Sequence, residues 1–266
     1  MKLQGLVFDW AGTLADHGSR APVATLEAIF AAARVPVTVA EARLAMGIAK
    51  KEHIRSILAL PRVRGEWAQV YGTEPGEPEL EALYAAFIPK QLDCLVQHSD
   101  VIAGVPEAFE RFRGRGLQLG SSTGYTRPML DCLLQLAARQ NLKPDAAFCP
   151  DEVPFGRPAP WMCFRNAMQL GIYPMWTMVK IGDTPSDIAE GLNAGMWTIG
   201  VTRTGNETGL TAAEWNATLP AAQQALEGAA GQRLLAAGAH YLAPSVAECD
   251  PFLDAIEDRL RAGHRP

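Results

Sequence analysis

Leu3-Gln4-Gly5-Leu6-Val7-Phe8-Asp9-Trp10-Ala11-Gly12-Thr13 opens the chain on an apolar run that stops at a carboxylate. The short run over 3–8 and its abrupt polar end predict a buried strand that delivers Asp9 into a loop. The pattern recurs. Residues 117–121 run into Ser122-Thr123-Gly124, residues 178–181 run into Gly182-Asp183-Thr184, and 197–201 form a fourth apolar run. Helical stretches over 106–115, 126–140 and 160–170 lie between them. Strands that alternate with helices predict an α/β fold, a Rossmann-like parallel sheet covered on both faces. Ligands of such sheets bind beyond the carboxyl ends of the strands. Asp9, Thr123 and Asp183 all fall at such ends, though far apart in sequence.

Residues 20–97 break the alternation. They read as successive helices over 24–33, 39–58 and 79–95, inserted straight after the first strand. This suggests a helical cap domain over a core made of 1–19 and 98–266. The connections near 17–20 and 98–104 would be its hinges. Beyond Gly205 the chain is Ala-rich and helical, with a short strand expected at 240–242, and it carries no legible chemistry.

Bulk properties narrow the function classes. The 266 residues are 48% apolar and 20% charged, with a net charge of −5. There is no basic excess for nucleic acid or an anionic membrane. No window has the length and apolarity of a membrane span, and no signal peptide is expected before Asp9. The five cysteines are odd in number and none sits in a CxxC pair. They read as reduced thiols of a cytoplasmic protein.

Four segments carry candidate chemistry. Asp9 suits a metal ligand, a nucleophile or a helix cap. Gly12 allows a tight turn whose amides can hold an anion. Asp183 and Asp187, four residues apart between a strand and a helix, suit a hard divalent cation such as Mg2+. They also suit a plain acidic helix start. Thr123 and Arg157 offer a hydroxyl and a guanidinium to phosphoryl oxygens.

Asp9-Trp10-Ala11-Gly12-Thr13, Ser121-Ser122-Thr123-Gly124, Gly156-Arg157-Pro158 and Gly182-Asp183-Thr184-Pro185-Ser186-Asp187 together resemble the haloacid dehalogenase superfamily. Order, spacing and the position of the helical insert all agree. The resemblance implies that Asp9 attacks phosphorus and forms an aspartyl phosphate. Thr123, Gly124 and Arg157 then hold the phosphoryl oxygens. Asp9, Asp183 and the Ala11 carbonyl bind Mg2+, with Asp187 in support.

One departure matters. Phosphatases of this superfamily carry a second Asp two residues after the nucleophile, as general acid. Ala11 stands there instead. Losing a general acid typically costs ~100- to 10,000-fold. The cap segment Met46-Gly47-Ile48-Ala49-Lys50-Lys51-Glu52-His53 offers another route. On one continuous helix Met46, Lys50 and His53 would share a face, with Lys51 about 100° away. Spacing alone also fits a charged surface helix. With Trp10 to Thr13, however, this segment is similar to the phosphonate-cleaving branch of the superfamily. So are Gly120 to Thr126, Pro160-Trp161-Met162-Cys163 and Asn193-Ala194-Gly195-Met196-Trp197-Thr198.

That branch implies a Lys50 imine as electron sink for phosphorus–carbon cleavage of phosphonoacetaldehyde. His53 would be the proton shuttle, and Met46 and Tyr125 would shape the pocket. It also implies a homodimer joined through the caps. A phosphate-ester phosphatase or phosphomutase of the same fold, and a non-catalytic phospho-ligand binder, are the rival expectations.

Overall fold

The computed structural model describes residues 2–266. Six strands form one parallel sheet: β1 (Gly5–Phe8), β2 (Gln118–Ser122), β3 (Ala146–Phe148), β4 (Met178–Gly182), β5 (Trp197–Val201) and β6 (Tyr241–Ala243). Their order is β3-β2-β1-β4-β5-β6. The order reverses between β1 and β4, where doubly wound sheets open their ligand crevice. Phe8 pairs with Ile181 across that junction, so Asp9 and Asp183 leave the sheet side by side. β1, β4 and β5 are buried along their whole length, as strands covered on both faces must be.

Five helices follow β1: α1 (Arg20–Ala32), α2 (Val39–Arg43), α3 (Lys50–Leu58), α4 (Pro61–Tyr71) and α5 (Glu77–Gln97). α1 and α3 pack against α5, and α5 also meets α7 (Arg127–Ala138). The remaining helices are α6 (Val105–Gly114), α7 (Arg127–Ala138), α8 (Trp161–Leu170), α9 (Pro185–Asn193), α10 (Ala212–Ala217), α11 (Pro220–Ala236) and α12 (Asp250–Arg261). α6 covers β1 through Phe109, whose ring lies 4.9 Å from that of Phe8.

The continuous helix expected over 39–58 is two helices. Thr38 and Glu41 close a capping box on the short α2. Gly47 then takes φ +92°, which a right-handed helix cannot accommodate. Met46 therefore lies in the loop before α3 and does not share a helical face with Lys50 and His53. Helix α4 and strand β3 are additions to the expected elements. β3 has three residues, too few for a visible periodicity. β6 lies one residue beyond the span expected for it.

Candidate active site

Strand ends and one loop of the insertion converge on a small cavity of about 260 Å3. Asp9 and Ala11 line it from the end of β1, and Thr123, Gly124 and Tyr125 from the end of β2. Met46, Gly47 and Lys50 line it from the insertion. Ser19, Pro22 and Thr184 complete the wall; Ser19 and Pro22 had no signal in the sequence, while Thr184 belongs to the segment that carries Asp183. Space for water centres is about 20 Å3, enough for one or two water molecules. The insertion is thus seated tightly on the core.

Two glycines explain the fit. A Cβ on Gly124 would overlap the carbonyl oxygens of Ile48 and Gly47. A Cβ on Gly47 would overlap the Thr184 hydroxyl. Gly124 thus acts as the bare surface on which the insertion rests.

Behind the cavity lies a buried charge cluster. The Arg157 Nη1 reaches Asp9 Oδ1 at 2.8 Å and Asp187 Oδ1 at 2.9 Å, and donates to the Gly47 carbonyl at 3.2 Å. Its Nε donates to Glu190 at 2.9 Å, and Nη2 donates to the Ser122 carbonyl and hydroxyl. Every N–H of the guanidinium has a protein acceptor. Arg157 therefore orients Asp9 from behind and is not a wall of the cavity. Lys180 was not anticipated. It is the one charge in the otherwise apolar strand Met178-Val179-Lys180-Ile181-Gly182, and it is fully buried. Its Nζ lies 2.9 Å from Asp187, 3.2 Å from Glu190 and 3.0 Å from the Ser122 hydroxyl.

The carboxylates divide by environment. Asp187 Oδ2 caps α9 through the Thr184 amide and hydroxyl, and its Oδ1 meets the two cations. Burial works against its charge, but Arg157 and Lys180 hold its pKa below the usual carboxylate value. Asp183 accepts from the Thr13 hydroxyl at 3.1 Å and the Asn206 amide at 2.6 Å. Burial, with Asp9 and Asp187 close by, pushes its pKa well above the usual value. Burial and Asp187 also raise that of Asp9.

Asp9, Asp183 and Asp187 can bring one oxygen each within 4.8 Å of one another. Asp187 is already committed, which leaves Asp9 and Asp183 as protein carboxylates for a cation. Among the described residues Arg157 and Lys180 are the cations paired with Asp9, Asp187 and Glu190, and Asp183 has no cation within ion-pair distance, so the buried carboxylates outnumber the cations that pair with them. The donor set and the charge both fit a hard divalent ion.

Lys50 opens α3 and is 5% exposed. Burial lowers its pKa to about 8, although Asp9 opposes that shift. His53 sits one turn further on, fully buried, with Nε2 2.8 Å from the Ala42 carbonyl. Burial and then Lys50 lower its pKa to about 3, so it is neutral. It stands behind Lys50, outside the cavity wall. The Tyr125 hydroxyl is buried and unpartnered among the described residues. The Thr123 hydroxyl accepts from the Tyr125 amide at 3.2 Å, which leaves its proton free to point elsewhere.

A family model for haloacid dehalogenase-like hydrolases matches residues 3–195. A phosphonoacetaldehyde hydrolase of Nitratidesulfovibrio vulgaris is 46% identical over 99% of this chain and 94% of its own. The chain belongs to the phosphonoacetaldehyde hydrolase branch of the haloacid dehalogenase-like hydrolases. A phosphonoacetaldehyde hydrolase of Bacillus cytotoxicus is 43% identical over 97% of both chains. The crystal structure of a phosphonoacetaldehyde hydrolase-like protein from Oleispira antarctica superimposes with a TM-score of 0.98 at 37% identity, covering 100% of this chain and 96% of that one. The chain is thus a hydrolase by family. No helix among the described residues is long and apolar enough to cross a membrane.

Proposed function

We propose that the chain hydrolyses phosphonoacetaldehyde to acetaldehyde and phosphate, with Lys50 as the imine-forming residue and Asp9 as the nucleophile. The observation that carries this reading is Lys50. Lys50 lines the same cavity as Asp9 and Ala11, and Ala11 stands where the general acid of an ester hydrolase is absent. An amine with a pKa of about 8 keeps a far larger neutral fraction near physiological pH than an ordinary lysine, and the neutral form can attack an aldehyde.

Addition of the Lys50 amine to the aldehyde carbon and loss of water give an iminium. The free Asp9 oxygen attacks phosphorus, and the phosphorus–carbon bond breaks. Its electron pair enters the iminium as an enamine, so no free carbanion forms. Protonation at carbon and hydrolysis release acetaldehyde and return the Lys50 amine. Water then cleaves the aspartyl phosphate. Arg157 fixes the attacking carboxylate, while the Thr123 hydroxyl and the Gly124 amide bind phosphoryl oxygens. Asp9, Asp183 and the Ala11 carbonyl would hold Mg2+, which supplies charge neutralisation at the phosphonate. His53 is neutral and lies next to Lys50, where it fits proton movement to and from the amine. Met46 and Tyr125 shape the cavity, and the insertion acts as a cap that opens at 17–20 and 98–104 to admit substrate.

Borohydride added with phosphonoacetaldehyde should trap acetaldehyde carbon on Lys50, read by peptide mass. Phosphate release should be confined to phosphonoacetaldehyde in a panel with phosphoglycolate and sugar phosphates. Full activity of Lys50→Ala would sink the imine.

A further inference from the structure

Arg43, on α2 of the insertion, has no acidic partner within ion-pair distance among the described residues. A ring of oxygens on the core holds it instead. Its Nη1 donates to the carbonyls of Gly18 at 3.0 Å and Asn206 at 3.1 Å, and to the Asn206 side-chain Oδ1 at 2.7 Å. Its Nη2 donates to the Gly209 carbonyl at 3.2 Å. Gly209 has φ +71°, and a Cβ there would lie 3.0 Å from the guanidinium carbon. The loop over 204–209 is thus shaped around the Arg43 side chain.

That loop also holds Asp183. The Asn206 amide donates to Asp183 Oδ2 at 2.6 Å. A Cβ on Gly205 would lie 2.5 Å from the Asp183 Cβ, so the backbone is pressed against the carboxylate. The Thr204 hydroxyl donates to the Gly12 carbonyl at 2.7 Å, and the Thr204 carbonyl accepts from Gly18 at 2.7 Å. One residue of the insertion therefore closes a path from α2, through Asn206, to a carboxylate at the end of β4. The same α2 leads through 44–49 into Lys50.

We propose that Arg43 is a latch that couples seating of the insertion to cation binding at Asp183. It acts as a positioning residue: it fixes Asn206, whose amide fixes the carboxylate. When the insertion lifts, the latch opens, the loop relaxes and Asp183 loses its donor. By linkage, a bound cation favours the seated insertion as much as seating favours the cation. The latch rests on the reading of Asp183 as a cation ligand.

Calorimetric titration of Mg2+ into the intact chain and its variants tests this. Arg43→Met should weaken Mg2+ about 5- to 30-fold, the lower part of the ~5- to 150-fold range of ordinary allosteric couplings. Arg43→Lys keeps the charge without the planar fork, and should fall between the two while retaining the fold. Asn206→Ala should weaken Mg2+ in the unaltered chain but add little on the Arg43→Met background, because both substitutions cut one path. Circular dichroism and thermal melts run alongside. A lower melting temperature with unchanged Mg2+ affinity in both Arg43 variants would mean a merely structural contact and would overturn the latch. Absence of Mg2+ binding to the unaltered chain would overturn the cation-site reading beneath it.

Discussion

The Lys50 amine lies 4.9 Å from the centroid of the Tyr125 ring, inside a cavity that both residues line. The ring face favours an ammonium there by ~0.5–2 kcal/mol, and Asp9 adds attraction. Burial nevertheless prevails and brings the pKa down to about 8. At pH 7 about a tenth of Lys50 is then neutral, against ~0.04% of an ordinary lysine. If the neutral amine is the reactive form, kcat/KM rises about tenfold per pH unit below 8 and levels off above it. Lys50→Ala removes this limb and lowers the rate at least ~1,000-fold. A profile flat between pH 7 and 9 would exclude Lys50 as the amine that attacks.

Gly124 offers a test of seating that leaves the chemistry in place. In Gly124→Ala the new methyl group meets the Ile48 and Gly47 carbonyls and lifts the loop that delivers Lys50. Misplacement by about 1 Å costs on the order of 100-fold in rate. The strain is relieved by opening, so the melting temperature should change little. A large drop in kcat/KM with a near-normal melt is expected. Wild-type kinetics would mean that the insertion need not seat this closely.

Lys180 tests the charge cluster. Lys180→Met leaves Asp187 and Glu190 to share Arg157 in a fully buried setting. Removing one partner of a buried ionic network typically costs ~3–5 kcal/mol, because the remaining charge stays uncompensated. Urea unfolding should report that loss. Lys180→Met with Glu190→Gln should recover part of it, since the second substitution removes a charge left without its partner. An additive double variant would show that Lys180 acts outside this network.

The sheet was legible in the sequence because strands buried on both faces are short apolar runs with abrupt polar ends, as at Phe8-Asp9 and Gly182-Asp183. The convergence of Asp9, Thr123 and Asp183 followed from that placement. The break at Gly47 was not legible. A glycine between two helical patterns is tolerated in many helices, and the lack of a side chain at Gly47 is read out by Thr184, 137 residues away along the chain, whose hydroxyl a Cβ would meet. Lys180 had a signal, a lone charge in an apolar strand, but its partners Ser122 and Glu190 lie on separate elements. The saturation of Arg157 by Asp9, Asp187, Glu190, Ser122 and Gly47 has no trace in local sequence, because its acceptors come from four places along the chain. Asn206 likewise acts through its backbone amide, which residue identity does not reveal.

The excess of negative charge makes a prediction about metal and stability. Asp9 and Asp183 are both buried and their pKa values are raised, so the folded chain without a cation holds like charges together at a cost. A divalent ion bound only by the folded state should stabilise it by ~2.7 kcal/mol at a hundredfold excess over its dissociation constant. For a chain of this size each kcal/mol is worth about 2–4 °C in melting temperature. Mg2+ added to chelator-treated protein should therefore raise the melting temperature by about 5–10 °C and restore phosphate release. Asp183→Asn removes one of the repelling charges together with a ligand. Its melting temperature should rise above that of the chelated wild type, and its response to Mg2+ should vanish with its activity. A higher melting temperature together with a lost response to Mg2+ is a pair of outcomes that no general effect of salt produces. If Asp183→Asn melted lower than the chelated wild type and still responded to Mg2+, the repulsion would lie elsewhere and Asp183 would not be a ligand.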